Sequence, residues 1–133
     1  MAVTATPAFA QALRCAMVQM STANTNRDGT GTLSSAVAAG SNGTIVDCII
    51  FKAIVTTAAG TLRIFYSDDS GTTYRLLAEV TTAGATVSGT VKGEEVTWVP
   101  PGGVPFKMPS TGRLKFCPHN SETWNVFVEG EDL

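Results

Sequence analysis

The chain has 133 residues, of which 44% are apolar, so it is long enough to bury the core of one domain without a disulfide or a metal. Nine basic residues are scattered among eleven acidic ones, and the net charge of −2 disfavours nucleic-acid binding, which requires a concentrated positive surface. No apolar run approaches the ~20 residues that a membrane-spanning helix needs, so no membrane partner is expected.

The N-terminal segment, residues 1–12, is predicted to be an extended arm, because small residues dominate it and Pro7 blocks a long helix. Its aromatic residue, Phe9, is a candidate for contact with a neighbouring protein by strand addition. A first strand is predicted from Leu13 to Met20, with a short helix as the alternative, and the alternation does not decide which face is buried. The predicted organisation is thus an arm over 1–12 and a β-sandwich domain over 13–133.

The next segments carry the strongest strand signals of the chain. After a polar loop over residues 21–31, a strand is predicted over 33–39. The Asn42-Gly43 pair that follows is typical of a β-hairpin turn, since both central residues of a type I′ turn need positive φ. The apolar, β-branched run over 44–55 predicts a central strand with both faces mostly covered.

Two strands, over 61–66 and 74–80, flank the sequence Asp68-Asp69-Ser70-Gly71. A calcium loop would need alternating oxygen ligands and a distant bidentate carboxylate. Asp and Gly are also favoured in tight turns, so a hairpin is predicted here and no metal site.

The C-terminal third predicts four shorter elements. These are a broken strand or two over 87–99, a short edge strand over 106–108, a strand over 112–117 and a closing strand over 123–129 with Trp124 in the core. Eight or nine strands at regular spacing indicate an all-β fold, a two-sheet β-sandwich that we expect to be a jelly roll. An immunoglobulin-like sandwich is the alternative, although its Cys–Trp–Cys spacing is missing.

The candidate catalytic groups do not form a set. His119 lies near Cys117, but a nucleophile needs a base that is itself oriented by a third group. Glu94 and Glu95 are adjacent, and adjacent strand residues point to opposite faces. We therefore predict no catalytic residues, no cofactor and no enzymatic activity.

The three cysteines are an odd number without short spacing, which argues against a disulfide framework and a zinc site. We predict that all three are buried free thiols: Cys15, Cys48 and Cys117.

The candidate interface residues surround a rigid proline turn. Trp98 precedes Pro100 and Pro101, and Phe106 follows them. Aromatic residues dominate binding hot spots, so these residues and Phe9 are predicted to contact another protein. Packing of Trp98 in the core or at a sheet edge is the alternative.

Three segments resemble small virion structural proteins of tailed phages. The first is Gln19-Met20-Ser21-Thr22-Ala23-Asn24-Thr25-Asn26-Arg27-Asp28-Gly29-Thr30-Gly31. The second comprises residues 62–66 and 74–80, and the third is Asn120-Ser121-Glu122-Thr123-Trp124-Asn125-Val126, shortly before the C-terminal Gly130-Glu131-Asp132-Leu133. The similarity covers residues 17–133 in order.

The resemblance implies a capsid cement, or decoration, protein. Such a protein would be made in the cytoplasm of the bacterial host and would lie on the outside of the phage head. Its expected partners are the major capsid protein and further copies of itself, as a dimer or trimer. The alternative is a carbohydrate- or receptor-binding module of a tail fibre or baseplate, in which Trp98 would act with Glu94 and Glu95.

Overall fold

The computed structural model describes residues 10–133. The prediction that Phe9 contacts a neighbour, and most of the predicted arm, lie outside this range. The first strand begins at Ala12, and the Gln11 N–H already donates to the carbonyl of Asp132 over 2.8 Å. The sandwich therefore includes residues that the sequence assigned to the arm.

The described chain is built from strands and one 3₁₀ turn. The strands are β1 (Ala12–Met20), β2 (Val37–Ala38), β3 (Thr44–Ala53), β4 (Gly60–Ser67), β5 (Arg75–Thr82), β6 (Glu95–Trp98), β7 (Phe106–Met108), β8 (Arg113–Pro118) and β9 (Trp124–Asp132), and the 3₁₀ turn spans Pro101–Gly103.

The strands form two antiparallel sheets that pack face to face, so the predicted all-β two-sheet sandwich is confirmed. The first sheet has the order β1-β9-β3-β6, with β7 also paired to β3, and the second has the order β2-β8-β4-β5. The pairings are nested along the chain: β1 with β9, β2 with β8, β3 with β6 and β4 with β5. Nested antiparallel pairing across two sheets is the connectivity of a jelly roll, to which β7 is an addition.

The core lies between the two sheets and follows the period-2 alternation of the strands. Leu114 and Phe116 of β8 are fully buried, as predicted, and so is Trp124 of β9. The Phe116 ring meets that of Phe51, from the opposite sheet, edge to face at 5.9 Å. These contacts tie the inner faces of the two sheets together.

Two predictions around the second strand are wrong. β2 covers only Val37–Ala38, because the preceding chain follows β8 through single bonds instead of a regular ladder, such as the Ser34 N–H donating to the Phe116 carbonyl. The Asn42-Gly43 turn is not a hairpin, since β2 and β3 belong to different sheets. Gly43 has positive φ, at 99°, but Asn42 does not, so the turn is not type I′.

The loop between β1 and β2 is fastened to the outer face of the second sheet by a buried guanidinium. Arg63 of β4 is 2% exposed and donates from Nη1 to the carbonyl of Asn24 over 3.1 Å. Its Nε lies 3.3 Å from Oε2 of Glu79 on β5. Arg27, in the loop itself, donates to the same carboxylate over 3.1 Å. We call the group Asn24, Arg27, Arg63 and Glu79 the loop latch.

The same loop contacts the chain just before β5 through a glycine. Gly29 has φ of +86°, and a Cβ there would overlap the carbonyl oxygen of Tyr74. Arg27 and Gly29 come from the first segment of the phage-protein resemblance, and Tyr74 and Glu79 come from the second. These contacts close the loop onto the second sheet.

Candidate functional site

An apolar groove of about 380 Å³ opens at one seam of the sandwich, where β5 of the second sheet faces β6 and β7 of the first. It is lined by Leu77, Ala78, Trp98, Pro100, Pro101, Val104, Pro105, Phe106 and Lys107. We call it the Trp98 groove.

The groove unites four of the five residues that the sequence analysis put forward as an interface. Trp98 is half-buried at the end of β6, Pro100 is buried, Pro101 is exposed, and Phe106 is half-buried on β7. Their side chains line one concavity because the chain leaves β6, turns through the prolines and returns as β7.

Sequence reasoning missed the opposite wall of the groove. Leu77 and Ala78 lie on β5, and the sequence predicts them only as strand residues, since no sequence signal places β5 beside β6. Val104 and Pro105 adjoin the proline turn, so their position along the chain was a usable signal. Val104 is 61% exposed, so its side chain is open to contact from outside the groove.

The proline wall is held in shape by its backbone. The 3₁₀ turn Pro101–Gly103 contains two glycines at positive φ, and the N–H of Gly103 donates to the carbonyl of Pro100 over 3.2 Å. Proline fixes φ, so little conformational entropy is lost when a partner contacts this wall.

One lining residue of the groove, Phe106, is supported by an aromatic contact. The rings of Phe106 and Tyr66 meet edge to face at 5.1 Å with an interplanar angle of 90°. Burial raises the pKa of Tyr66, and Asp68 raises it further, so the phenol stays neutral at physiological pH.

Within residues 10–133, the only charged side chain that lines the groove is Lys107. The groove therefore suits an apolar segment with a carboxylate at its rim.

The geometry does not assemble the glycan site that the alternative interpretation requires. The Glu94 carboxylate is occupied within the fold, because it accepts from the N–H groups of Ala83 and Gly84 and from the hydroxyl of Thr57 at 2.9 to 3.0 Å. Glu95 and Trp98 lie three residues apart on one strand, so their side chains point to opposite faces.

The remaining candidate reactive groups, Cys117 and His119, are held within the fold. Cys117 is fully buried and burial raises the pKa of its thiol to about 11, so it stays protonated at neutral pH and is not an activated nucleophile. His119 Nδ1 lies 3.4 Å from Nη2 of Arg63, beside the loop latch. No cluster of three or more His, Cys, Asp or Glu suited to a metal occurs in the part of the chain that the structure describes.

The predicted hairpin at Asp68–Gly71 is confirmed, and the Asp69 side chain forms hydrogen bonds within the turn. Asp69 Oδ1 accepts from the Ser67 hydroxyl over 2.6 Å and from the Thr73 N–H over 2.9 Å. The Ser67 bond is the largest cause of the lowered pKa of Asp69.

The prediction of three buried thiols is wrong for two of them. Cys117 is buried, but Cys48 is only partly covered and Cys15 is exposed. Cys15 lies on β1, whose outward-facing residues are Leu13, Cys15, Met17 and Gln19. The sequence pattern of β1 does not decide its buried face; in the structure the inward-facing residues are Arg14, Ala16, Val18 and Met20.

No known family model matches this chain, and no curated protein matches it. Among the described residues, no helix has the length and apolar character needed to span a membrane.

Proposed function

We propose that this protein is a non-enzymatic virion structural protein, a cement protein that stabilises a phage head by bridging capsomers. The observation that carries the proposal is the Trp98 groove, which places four predicted contact residues around one apolar concavity with a rigid wall. The resemblance to small tailed-phage virion proteins is the reason for proposing a phage head as the particle to which the groove binds.

The proposed partner is the major capsid protein. An apolar segment of that protein would lie in the groove against Trp98 and Phe106, and a carboxylate beside it would pair with Lys107. Buried aromatic anchors in well-packed pockets contribute most of the energy at protein interfaces, typically at least about 2 kcal/mol each. Repetition over the shell adds avidity, so a weak contact at each copy is sufficient.

The first experiment tests the groove on purified heads. Trp98→Ala removes the anchor and should lower the affinity for heads at least about 30-fold, which corresponds to about 2 kcal/mol. Val91→Ala is the matched control, because Val91 is 51% exposed and does not line the groove. Occupancy is measured by co-sedimentation over a concentration series. Equal affinities for the two variants, with both folded by circular dichroism, would overturn the role of the groove.

The arm is a second proposed contact, by strand addition of the segment that contains Phe9 to a neighbouring protein. Because β1 begins at Ala12, a deletion of residues 1–9 leaves every described strand in place. We expect this deletion to abolish stable attachment to heads while the melting temperature stays unchanged. Full occupancy by the shortened protein would remove the arm from the proposal and leave the groove to carry it.

A further inference from the structure

The strand β1 offers a long open edge. Its nine residues pair with β9 on one side, and no other described strand pairs with it on the other. Natural sheets protect such edges with short strands, prolines, bulges or charged side chains. Of these devices β1 carries only an inward-pointing charge, Arg14, and that guanidinium is paired within the fold, 3.1 Å from Oδ1 of Asp132.

The outward face of β1 is also apolar at the positions where most sheets are polar. Leu13 is 91% exposed and Met17 is 72% exposed. The register places Met17 beside Phe127 of β9, and Phe127 beside Ile50 of β3, so an apolar row crosses three strands and ends at the open edge. A long unpaired edge next to an exposed apolar face indicates a docking surface.

We propose that the occupant of this surface is a second copy of the same chain, whose β1 pairs antiparallel with the first and joins the two sheets into one. A two-fold interface must be self-complementary, and β1 meets this condition. β1 itself carries no carboxylate, and its one cation is already paired, so no like charges meet between the two β1 strands. The nearest carboxylates on the same face, Glu129 and Glu131, lie on β9, one strand further from the two-fold axis.

Side-chain matching selects the register of this pairing. Centring the two-fold axis on Cys15 places Leu13 opposite Met17 of the second copy, twice, and the two Cys15 residues opposite each other. Centring it on Ala16 instead places Leu13 opposite the amide of Gln19, which leaves the most exposed apolar side chain without an apolar neighbour. Cross-strand apolar pairs stabilise a sheet, so the Cys15-centred register is favoured.

The interface is small and can be measured without any phage particle. A seam of one strand from each copy belongs to the class below about 1,200 Å² in total, so we expect a dimer that forms in the micromolar range. The dimer does not rest on the proposed attachment to heads, and its failure would leave the Trp98 groove untouched.

A cross-linking experiment reports the register. Opposite residues of antiparallel strands have Cα atoms about 4.5 to 5.5 Å apart, within the range for a disulfide. Added diamide should take two electrons and two protons from the two Cys15 thiols as the S–S bond forms. The wild type and Cys48→Ser should give covalent dimers, and Cys15→Ser should not.

A second pair of variants separates pairing from random collision. Leu13→Cys in the Cys15→Ser background presents an exposed thiol that lies opposite Met17, so it should not link to itself. Adding Met17→Cys to that double variant should restore the covalent dimer. Rapid linking of the double variant without Met17→Cys, or linking through Cys48, would overturn the register and the interface with it.

Sedimentation equilibrium tests the dimer without oxidation. Met17→Lys should weaken association at least about tenfold, because it places an ammonium against Leu13 of the second copy. Val91→Lys adds the same charge at a 51% exposed site elsewhere and should leave association unchanged. A wild type that stays monomeric at 100-fold above the micromolar range, or a dimer that withstands Met17→Lys, would refute the proposal.

Discussion

The loop latch gives the sharpest test of the energetics of this fold. Glu79→Gln keeps the shape of the side chain but removes the carboxylate that faces both Arg63 and Arg27. Arg63 would then remain as a guanidinium that is 2% exposed, with uncharged groups beside it, among them the Asn24 carbonyl, the His119 ring nitrogen and the Cys117 thiol. We therefore expect the substitution to destabilise the protein through an uncompensated buried charge.

The structure sets the size of the effect. At 3.3 Å and an effective dielectric constant near 20, the attraction between Arg63 and Glu79 is about 5 kcal/mol, and desolvation cancels a large part of it. Removing one partner of a buried ion pair costs about 3 to 5 kcal/mol. Since the Glu79 side chain is 30% exposed, we expect a loss in unfolding free energy at the lower end of this range, about 3 kcal/mol. This loss corresponds to a fall of about 12 °C in melting temperature.

Arg27→Gln is the matched control for this experiment. Arg27 lies 3.1 Å from the same carboxylate but its side chain is 64% exposed, so its loss should cost under about 1 kcal/mol. Urea unfolding of both variants, followed by circular dichroism, gives the two free energies. If Glu79→Gln costs no more than Arg27→Gln, the buried guanidinium does not depend on Glu79 and the latch makes no large contribution.

Three further predictions concern the closing strand and the thiols. Gly130→Ala should cost about 3 kcal/mol in urea unfolding, because its Cβ would overlap a carbonyl oxygen of β3, and an unchanged midpoint would contradict that close approach. Asp132 has a lowered pKa, first because the Thr44 hydroxyl donates to it and then because of Arg14, so the stability that it contributes above its usual value of 3.8 should be lost as the pH falls through the folded-state pKa. Asp132→Asn should therefore lose less stability over that acidic range, and parallel curves would refute the assignment. In the native protein a thiol reagent should modify Cys15 rapidly and Cys117 only after unfolding, as followed by mass spectrometry, and early modification of Cys117 would contradict its burial.

The sandwich could be predicted from the sequence because its strongest signals are local. The largely apolar run over 44–55 predicts a central strand, and β3, Thr44–Ala53, is one, ending two residues earlier than predicted. The alternation of Leu114 and Phe116 correctly gave the inner face of β8, and the Asp68–Gly71 turn correctly gave a hairpin. In each of these cases, the residue types of a short continuous segment are enough to determine its local structure.

The errors arise where distant partners decide the outcome. Asn42-Gly43 favours a hairpin locally, but β2 and β3 pair with different strands in different sheets. No sequence signal predicts the burial of Arg63, because its partners Asn24 and Glu79 come from a loop and a strand elsewhere in the chain. The exposure of Cys15 and Met17 depends on β1 standing at an edge, which no local pattern reveals.

The Trp98 groove shows both behaviours in one site. The proline turn and its flanking aromatic residues are consecutive elements, so the sequence indicated one of its walls. The other wall, Leu77 and Ala78, comes from the second sheet and depends on the packing of the two sheets. For a site between two sheets, the sequence can therefore predict only the wall that one continuous segment forms.

The most direct test of the proposed function is a cryo-electron-microscopy reconstruction of virions released by the cell that carries this gene. The account predicts density for the sandwich on the outside of the head, at the seams between capsomers, with the Trp98 groove facing the capsid protein. Absence of the chain from purified virions, or its density in the tail alone, would contradict the account.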